Sequence, residues 1–482
     1  MEHFQASTLT ICVLLFAGQL AGQDPNPTPE SPPSTEQPRQ PPRKEPSPLQ
    51  LELYSPLNDL ERRLDYAIDG TLSARYIFRS SPGERDQDLY ENLHLRLGNP
   101  ERDQISAVFL GRLSEDIDGQ RHRDGFSVFD NVTDSYDNNV NGRFYLGYLE
   151  LRRMQWLDTA GIDRVRAGRQ TYDETADFLI FDGGRIDSRA FKDLANLRLT
   201  AYGGLPVHYF ESSPSGDALA GAGMELAPFR STRGRVDWTY LEDRREDIHA
   251  SDHLLSAALW QSLGERFSLH GRYNLLNGDT RDYLVRGTYR ETLIDFLLQA
   301  SFRHSVQPLR DLSVELDPFF SVVRDYKPFW QVDVRGSKGL GEHASLDGGI
   351  SLRELVHEED QGRFNHEFVR YYVTPSTHDW PFKGTSVSLT GELWQSQGDQ
   401  FFTLGGEVRQ AILRALILAI GSQYSLYKYD FFSQEEKSHV RTIFGRLEYR
   451  LATDVKVHVL YSCEKDDVST YHILETGLTY SF

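Results

Sequence analysis

The sequence predicts an all-β fold: a transmembrane antiparallel β-barrel of about 18–22 strands with a disordered, Pro-rich N-terminal tail. Three observations predict it. Segments of roughly ten residues, apolar on one parity and polar on the other, recur from about residue 68 to the C-terminus, separated by Gly, Asn, Asp and Pro. The apolar rows often end in Tyr, Phe or Trp, in a chain with 24 Tyr and 27 Phe. The last letters, "LETGLTYSF", keep the alternation to the final residue: Leu474, Thr476, Leu478, Tyr480 and Phe482 form one row.

The N-terminal elements come first. Residues 1–23 resemble a signal peptide, with the apolar core "LTICVLLFAG" at 9–18 followed by small residues. The leading "MEHFQ" lacks Lys and Arg and no clean A-x-A site appears, so cleavage is expected near Gly22 or Gln23. Residues 24–48 contain ten Pro in 25 positions and lack large apolar side chains. Such a segment cannot bury enough surface to fold and is expected to be an extended linker. Residues 49–67 space Leu57, Leu60 and Leu64 for one or two helical turns after Ser55-Pro56, which predicts a short lead-in helix. The barrel is expected over 68–482.

About 22 strand segments are expected, starting near 70, 88, 104, 143, 164, 184, 196, 218, 233, 253, 267, 282, 294, 329, 344, 365, 384, 401, 415, 439, 455 and 470. In "RFSLHGRYNLL", Phe267, Leu269, Gly271, Tyr273 and Leu275 oppose Ser268, His270, Arg272 and Asn274. In "VRTIFGRLEYRL", Ile443, Gly445, Leu447, Tyr449 and Leu451 oppose Thr442, Phe444, Arg446, Glu448 and Arg450. A water-soluble sandwich also alternates. The barrel is preferred because the polar row carries Arg and Asp and the pattern runs about 400 residues without helices. Connections also alternate short and long, the long ones expected at 114–142, 173–183, 204–217 and 355–364. Beyond the leader, no stretch approaches the roughly 18 apolar residues of a membrane helix. Cys12 falls in the leader and Cys463 stands alone, which excludes a disulfide within the mature chain.

The chain is acidic, with 52 basic and 71 acidic residues and a net charge of −19. The polar rows are not. In the clearest registers they hold Arg75, Arg79, Arg96, Arg198, Arg233, Arg235, Arg272, Arg286, Arg290, Arg303, Arg335, Arg353, Arg446, Arg450 and Lys456. Against these stand Asp237, Asp282, Asp333, Asp347, Glu392, Glu448 and Glu475. That predicts a lumen with about a two-to-one excess of cations, suited to carboxylate or phosphate. Arg198, Arg272, Arg286, Arg290, Arg335, Arg446 and Arg450 are the candidate pore-lining residues. Arg inside a barrel also braces the wall by pairing with Asp and Glu, so both readings stand.

The closing "GLTYSF" resembles the C-terminal strand of bacterial outer-membrane barrels. That resemblance implies that Tyr480 and Phe482 act as a signal to the barrel-assembly machinery, that the protein sits in outer-membrane lipid, and that both termini are periplasmic. A narrower stretch, "RVRAGRQTYDETADFLIFDGGRID" at 164–187, is similar to the signature of the alginate-export family of outer-membrane porins. Gly168, Arg169, Gln170, Phe181, Asp182, Gly183 and Arg185 carry the match. It implies an exported polyanion, and Arg169 and Asp182 are expected to pair and fold their loop into the barrel mouth.

Other chemistry is weak. The Asp/Asn-rich loop at 130–142 has oxygen ligands but no EF-hand spacing, and the 15 His are scattered. No catalytic constellation, cofactor motif, metal site or nucleic-acid signature is seen. Two readings follow: a channel for a polar, anionic solute or polysaccharide, or a structural or interaction barrel of a larger cell-envelope complex. In either, the Pro-rich tail could reach a periplasmic partner.

Overall fold

A computed structural model describes residues 67–118, 129, 139–175, 178–207, 217–245, 248–306, 327–362, 365–413, 415–430 and 435–482. The expected leader and tail, and residues 49–66 of the lead-in helix, lie outside the described residues, as does most of the 130–142 loop.

The described chain is one 22-stranded sheet closed on itself. The first strands are β1 (Ile68–Ser81), β2 (Glu84–Leu97), β3 (Ile105–Asp116), β4 (Val140–Arg152), β5 (Ile162–Tyr172), β6 (Leu179–Ser188), β7 (Arg198–Pro206) and β8 (Ala218–Phe229). They continue as β9 (Thr232–Arg245), β10 (Ile248–Leu263), β11 (Phe267–Leu276), β12 (Asp279–Glu291), β13 (Phe296–Ser305), β14 (Phe329–Gly339) and β15 (Ala344–Leu355). The last are β16 (Phe368–His378), β17 (Thr385–Ser396), β18 (Asp399–Ala411), β19 (Leu416–Asp430), β20 (Glu435–Arg450), β21 (Val455–Lys465) and β22 (Thr470–Ser481). Each strand pairs antiparallel with the next, and β1 pairs with β22 over Thr71↔Ser481 to Ser80↔His472. The ring therefore has no free edge, and closure lets each strand pair backbone groups with a neighbour on both sides. Among the described residues no helix is long and apolar enough to cross a membrane. One short helix, α1 (Gln155–Thr159), sits in the β4–β5 turn with Leu157 buried.

Local chemistry explains the turns. Asn277-Gly278 joins β11 to β12 and Gln397-Gly398 joins β17 to β18, each with both residues at positive φ (53° and 96°, 54° and 85°). That is the two-residue hairpin turn whose twist matches the strands. The closing seam depends on Gly70, whose N–H donates to the carbonyl of Phe482 (3.0 Å) and whose carbonyl accepts from the Phe482 N–H (3.1 Å). A Cβ at Gly70 would fall 2.8 Å from the Phe482 ring.

Side-chain pairs between non-neighbouring strands identify the inner face, because the concave side brings such side chains together. Tyr172 on β5 donates to Asp237 on β9 (2.7 Å), and Ser396 on β17 meets Tyr427 on β19 (2.9 Å). On the opposite parity lie the large exposed apolar side chains, among them Leu389 (60% exposed), Phe402 (69%) and Ile420 (63%). They are adjacent in the ladder or share its outward parity, and they form an apolar band facing outward.

The described starts differ most from the expected ones at β6, which begins at Leu179 rather than near 184, and at β10, which begins at Ile248 rather than near 253. The 173–183 connection expected to be long is therefore only 173–178. A long connection at 306–328, between β13 and β14, was not expected from the sequence.

Candidate functional site: the inner wall of the barrel

The inner wall has two chemically distinct sectors. Along β1–β10 most of the charges are paired, Arg198 on β7 being an exception among the described residues. Arg79 is 1% exposed and lies between Asp86 and Asp88, with Asp88 at 2.6 Å. Arg166 binds Glu150 through Nε (3.0 Å) and Nη2 (2.6 Å), and Arg164 and Arg185 converge on Asp187, Arg185 at 3.0 Å. Arg235 is forked onto Asp237 (2.6 and 2.9 Å) and also meets Glu225 (3.5 Å) and the Tyr172 hydroxyl. The cross-strand pairs, Arg79 with Asp86 and Asp88, Arg166 with Glu150 and Arg164 with Asp187, hold neighbouring strands in register, while Arg185–Asp187 and Arg235–Asp237 lie within one strand.

Along β11–β14 the arginines are left over. The register sets Arg272 opposite Leu284 and Leu284 opposite Arg303, while Arg286 lies opposite His270 and Ser301, and Arg335 opposite Gln299. Among the described residues none of Arg272, Arg286, Arg290, Arg303 and Arg335 has a carboxylate within ion-pair distance; Arg335 donates to the Gln299 side chain, and the Arg303 guanidinium lies 5.7 Å from the Phe329 ring centre. The acids of this sector are engaged by amides: Asn274 donates to Asp282 (2.9 Å) and Gln331 to Asp333 (3.0 Å). The Arg272 Nε is buried and meets no acceptor among the described residues.

An aromatic group borders this sector. Trp260 points inward, stacks on His270 (5.0 Å, 14°) and carries the Arg233 guanidinium 4.1 Å from its ring centre. Across β16 and β17, Arg370 lies 5.1 Å from the Trp394 ring while Trp394 donates to Glu392 (2.9 Å). Cation–π contact with Trp is the strongest of its kind and presents a flat polar–aromatic surface to the lumen.

A third feature was not expected from the sequence. At the ends of β5–β11 nearest the longer connections, the inward side chains Tyr172, Leu179, Phe181, Tyr202, Leu219, Leu241, Leu254 and Leu276 form one buried apolar cluster. Both parities of β7 and β8 are small or apolar, so alternation alone could not assign their faces. The same mouth holds Phe129 of the β3–β4 connection, buried against Tyr471 of β22 (centroids 6.1 Å).

The candidate pore-lining residues divide accordingly. Arg198, Arg272, Arg286, Arg290, Arg335 and Arg450 are inward by register without an ion pair among the described residues, whereas Arg446 pairs with Glu407 and Glu448, both at 3.4 Å. The two-to-one cation excess does not describe the whole wall. Inward Asp86, Asp88, Glu150 and Asp187 were not counted from the sequence, and each is bonded to Arg. The unpaired cations run longest along β11–β14, with Arg198 on β7 and Arg450 on β20 standing apart.

The 164–187 stretch also needs correction. Arg169 and Asp182 do pair, through Nε–Oδ1 (2.8 Å) and Nη2–Oδ2 (2.7 Å), but as cross-strand partners on the outward parity. Arg169 also donates to the Phe144 carbonyl (2.8 Å). The pair cannot fold a loop into the mouth. Gly168, Gln170, Phe181, Gly183 and Arg185 are inward. Gly168 has φ 121°, and its Cβ would lie 2.2 Å from the Gly147 carbonyl oxygen; that of Gly183 would lie 2.1 Å from the Gly203 carbonyl. Backbone approach accounts for both glycines.

Tyr480 and Phe482 close the outward row of β22 with their rings 5.6 Å apart. Among the described residues no group of His, Cys, Asp and Glu could hold a metal ion.

No family model matches the sequence, and no curated protein matches it. Solved structures with a similar course include the P pilus usher PapC translocation pore (10% identity, 86% of this chain and 99% of that chain, TM-score 0.48). The copper transporter OprC (11%, 86% and 80%, TM-score 0.47) and a BenF-like porin from Pseudomonas fluorescens Pf-5 (12%, 87% and 98%, TM-score 0.37) are others. At these values such likenesses say nothing of cargo, and the barrel rests on its own strand ladder. A closed antiparallel ring of even strand number with an apolar outer band and an ionic inner wall is how a β-chain crosses the outer membrane, and that is where this one resides.

Proposed function

We propose that the barrel is a channel for a polar, anionic solute, with β11–β14 as the anion-facing side of its path. One observation carries this: five inward arginines on four consecutive strands have no carboxylate partner among the described residues, whereas Arg79, Arg166 and Arg235 elsewhere on the wall are each bonded to acids. A guanidinium facing water without a counter-charge attracts anions, and charges on loops more than about a Debye length away, ~8–10 Å, are screened from the path. Trp260 and Trp394 add flat surfaces of the sort that sugar rings stack on. An anionic polysaccharide therefore fits the wall, and the resemblance of 164–187 to the alginate-export signature supports that choice through its inward residues only.

The test is a reversal potential in a planar bilayer under a KCl gradient. Chloride selectivity is expected for the wild type, falling severalfold when Arg286, Arg290, Arg303 and Arg335 are changed to Ser. Cation selectivity in the wild type would reject the anionic path.

The structural or interaction barrel is the second reading, favoured by the buried apolar cluster that narrows one mouth. Absence of any single-channel conductance from refolded protein would favour it. For the tail we expect no role in folding: joining the leader directly to residue 49 leaves the heat-modifiable barrel band at the wild-type level. A processed but unfolded product would assign the tail a structural role.

A further inference from the structure

The outer face should be apolar where lipid tails touch it, yet two cations stand side by side on it. Arg441 on β20 and Lys465 on β21 are directly opposite in the ladder. Arg441 shares the outward parity of Ile443 (55% exposed) and Leu451 (57%), and Lys465 that of Tyr461. Like charges facing each other across a strand pair are destabilising unless something lies between them. Among the described residues neither cation has an ion pair; Asp467, in the adjoining β21–β22 turn, makes none with either.

Their height is set by the strand. Ile443 to Leu451 spans about 20 Å along the barrel axis at a rise of ~3.3 Å and a tilt of ~40°. Arg441 lies two residues beyond, at the rim of an apolar band about 25 Å tall, on the side of the longer connections. A tyrosine marks the same level: Tyr424 is opposite Arg441 in the ladder.

Arg441 is also held in place. Its Nη1 donates to the Leu404 carbonyl (2.5 Å) and its guanidinium lies 5.3 Å from the Tyr424 ring centre. Of its five N–H donors, one is used by that bond. A fixed Arg441 beside Lys465, with unspent donors and no ion-paired carboxylate among the described residues, forms a seat for phosphate oxygens rather than a solvated charge.

From this we infer that Arg441 and Lys465 bind the phosphorylated headgroup of a glycolipid of the outer leaflet. Two cations at cross-strand spacing suit a headgroup with two phosphates better than one with a single phosphate. The inference rests on the membrane reading of the barrel and not on the anion channel.

The experiment is native mass spectrometry of the detergent-purified full chain with a diphosphorylated glycolipid, its dephosphorylated form and phosphatidylglycerol. Heat-modifiability checks folding. Binding of the diphosphorylated lipid is expected in the wild type, weakened at least tenfold in Arg441→Gln/Lys465→Gln. Unchanged binding in the folded double variant would overturn the site. Should that variant not fold, the wild type decides: equal binding of the dephosphorylated glycolipid overturns the phosphate seat, and equal binding of phosphatidylglycerol overturns the choice of glycolipid.

Discussion

Replacing Phe482 with Asp is expected to abolish most of the assembled barrel. Phe482 is bonded through both its backbone groups to Gly70, and its ring occupies the space where a Gly70 side chain would lie. It thus seals the β1–β22 seam on which closure depends. The substitution places a carboxylate on the outward row that Tyr480 and Leu478 share; at the end of the strand this costs about 1 kcal/mol or less, so the lost ring packing at the seam carries most of the effect. If the row is also read by the assembly machinery, the loss is kinetic as well. The measurement is the fraction of heat-modifiable protein in the outer membrane, with a fall of at least fivefold expected. Phe482→Tyr, which keeps the ring, should assemble near the wild-type level. Wild-type assembly of the Asp variant would show that the seam does not need this residue.

The second large effect is expected at Arg79. Changing it to Ala removes the cation between Asp86 and Asp88 in a site where Arg79 is 1% exposed. Removing one member of a buried ionic cluster leaves uncompensated charge and typically costs 3–5 kcal/mol. The charges remain in place in Arg79→Ala, so its urea midpoint should fall well below the wild type. An Arg79→Met, Asp86→Asn, Asp88→Asn variant, which removes the charge on all three, should recover much of the loss. Equal midpoints for the wild type and Arg79→Ala would mean that water reaches the carboxylates and that the cluster is not a brace.

The two effects differ in how legible they were. The seam could be read directly: an apolar row running to the final Phe is a strand with lipid on one side, and period two fixes its faces. The same logic gave the barrel and a count of about 22 strands, because alternation is a local property of covalent geometry. Inward parity for Arg286, Arg290 and Arg335 followed from it too, since each sits in a strand with one clearly apolar row.

What period two could not decide is who meets whom. Arg79 and Arg286 look alike in sequence, each an Arg in a polar row. One is enclosed by two carboxylates of its hairpin partner; the other faces His270 and Ser301. The difference lies in strand register, which turn lengths and bulges set across the whole ring. Where both rows are small or apolar, as on β7 and β8, even the face was undetermined, and the buried cluster there emerged only once the barrel curved those strands together. Arg169 shows the same limit: its partner Asp182 was readable from the sequence, but the shared parity of both residues put the pair on the outer face. The sequence by itself determined the strands and their faces, because these follow from the pleat. Only the tertiary structure decided which charges are neutralised, because that depends on partners brought together by closure of the ring.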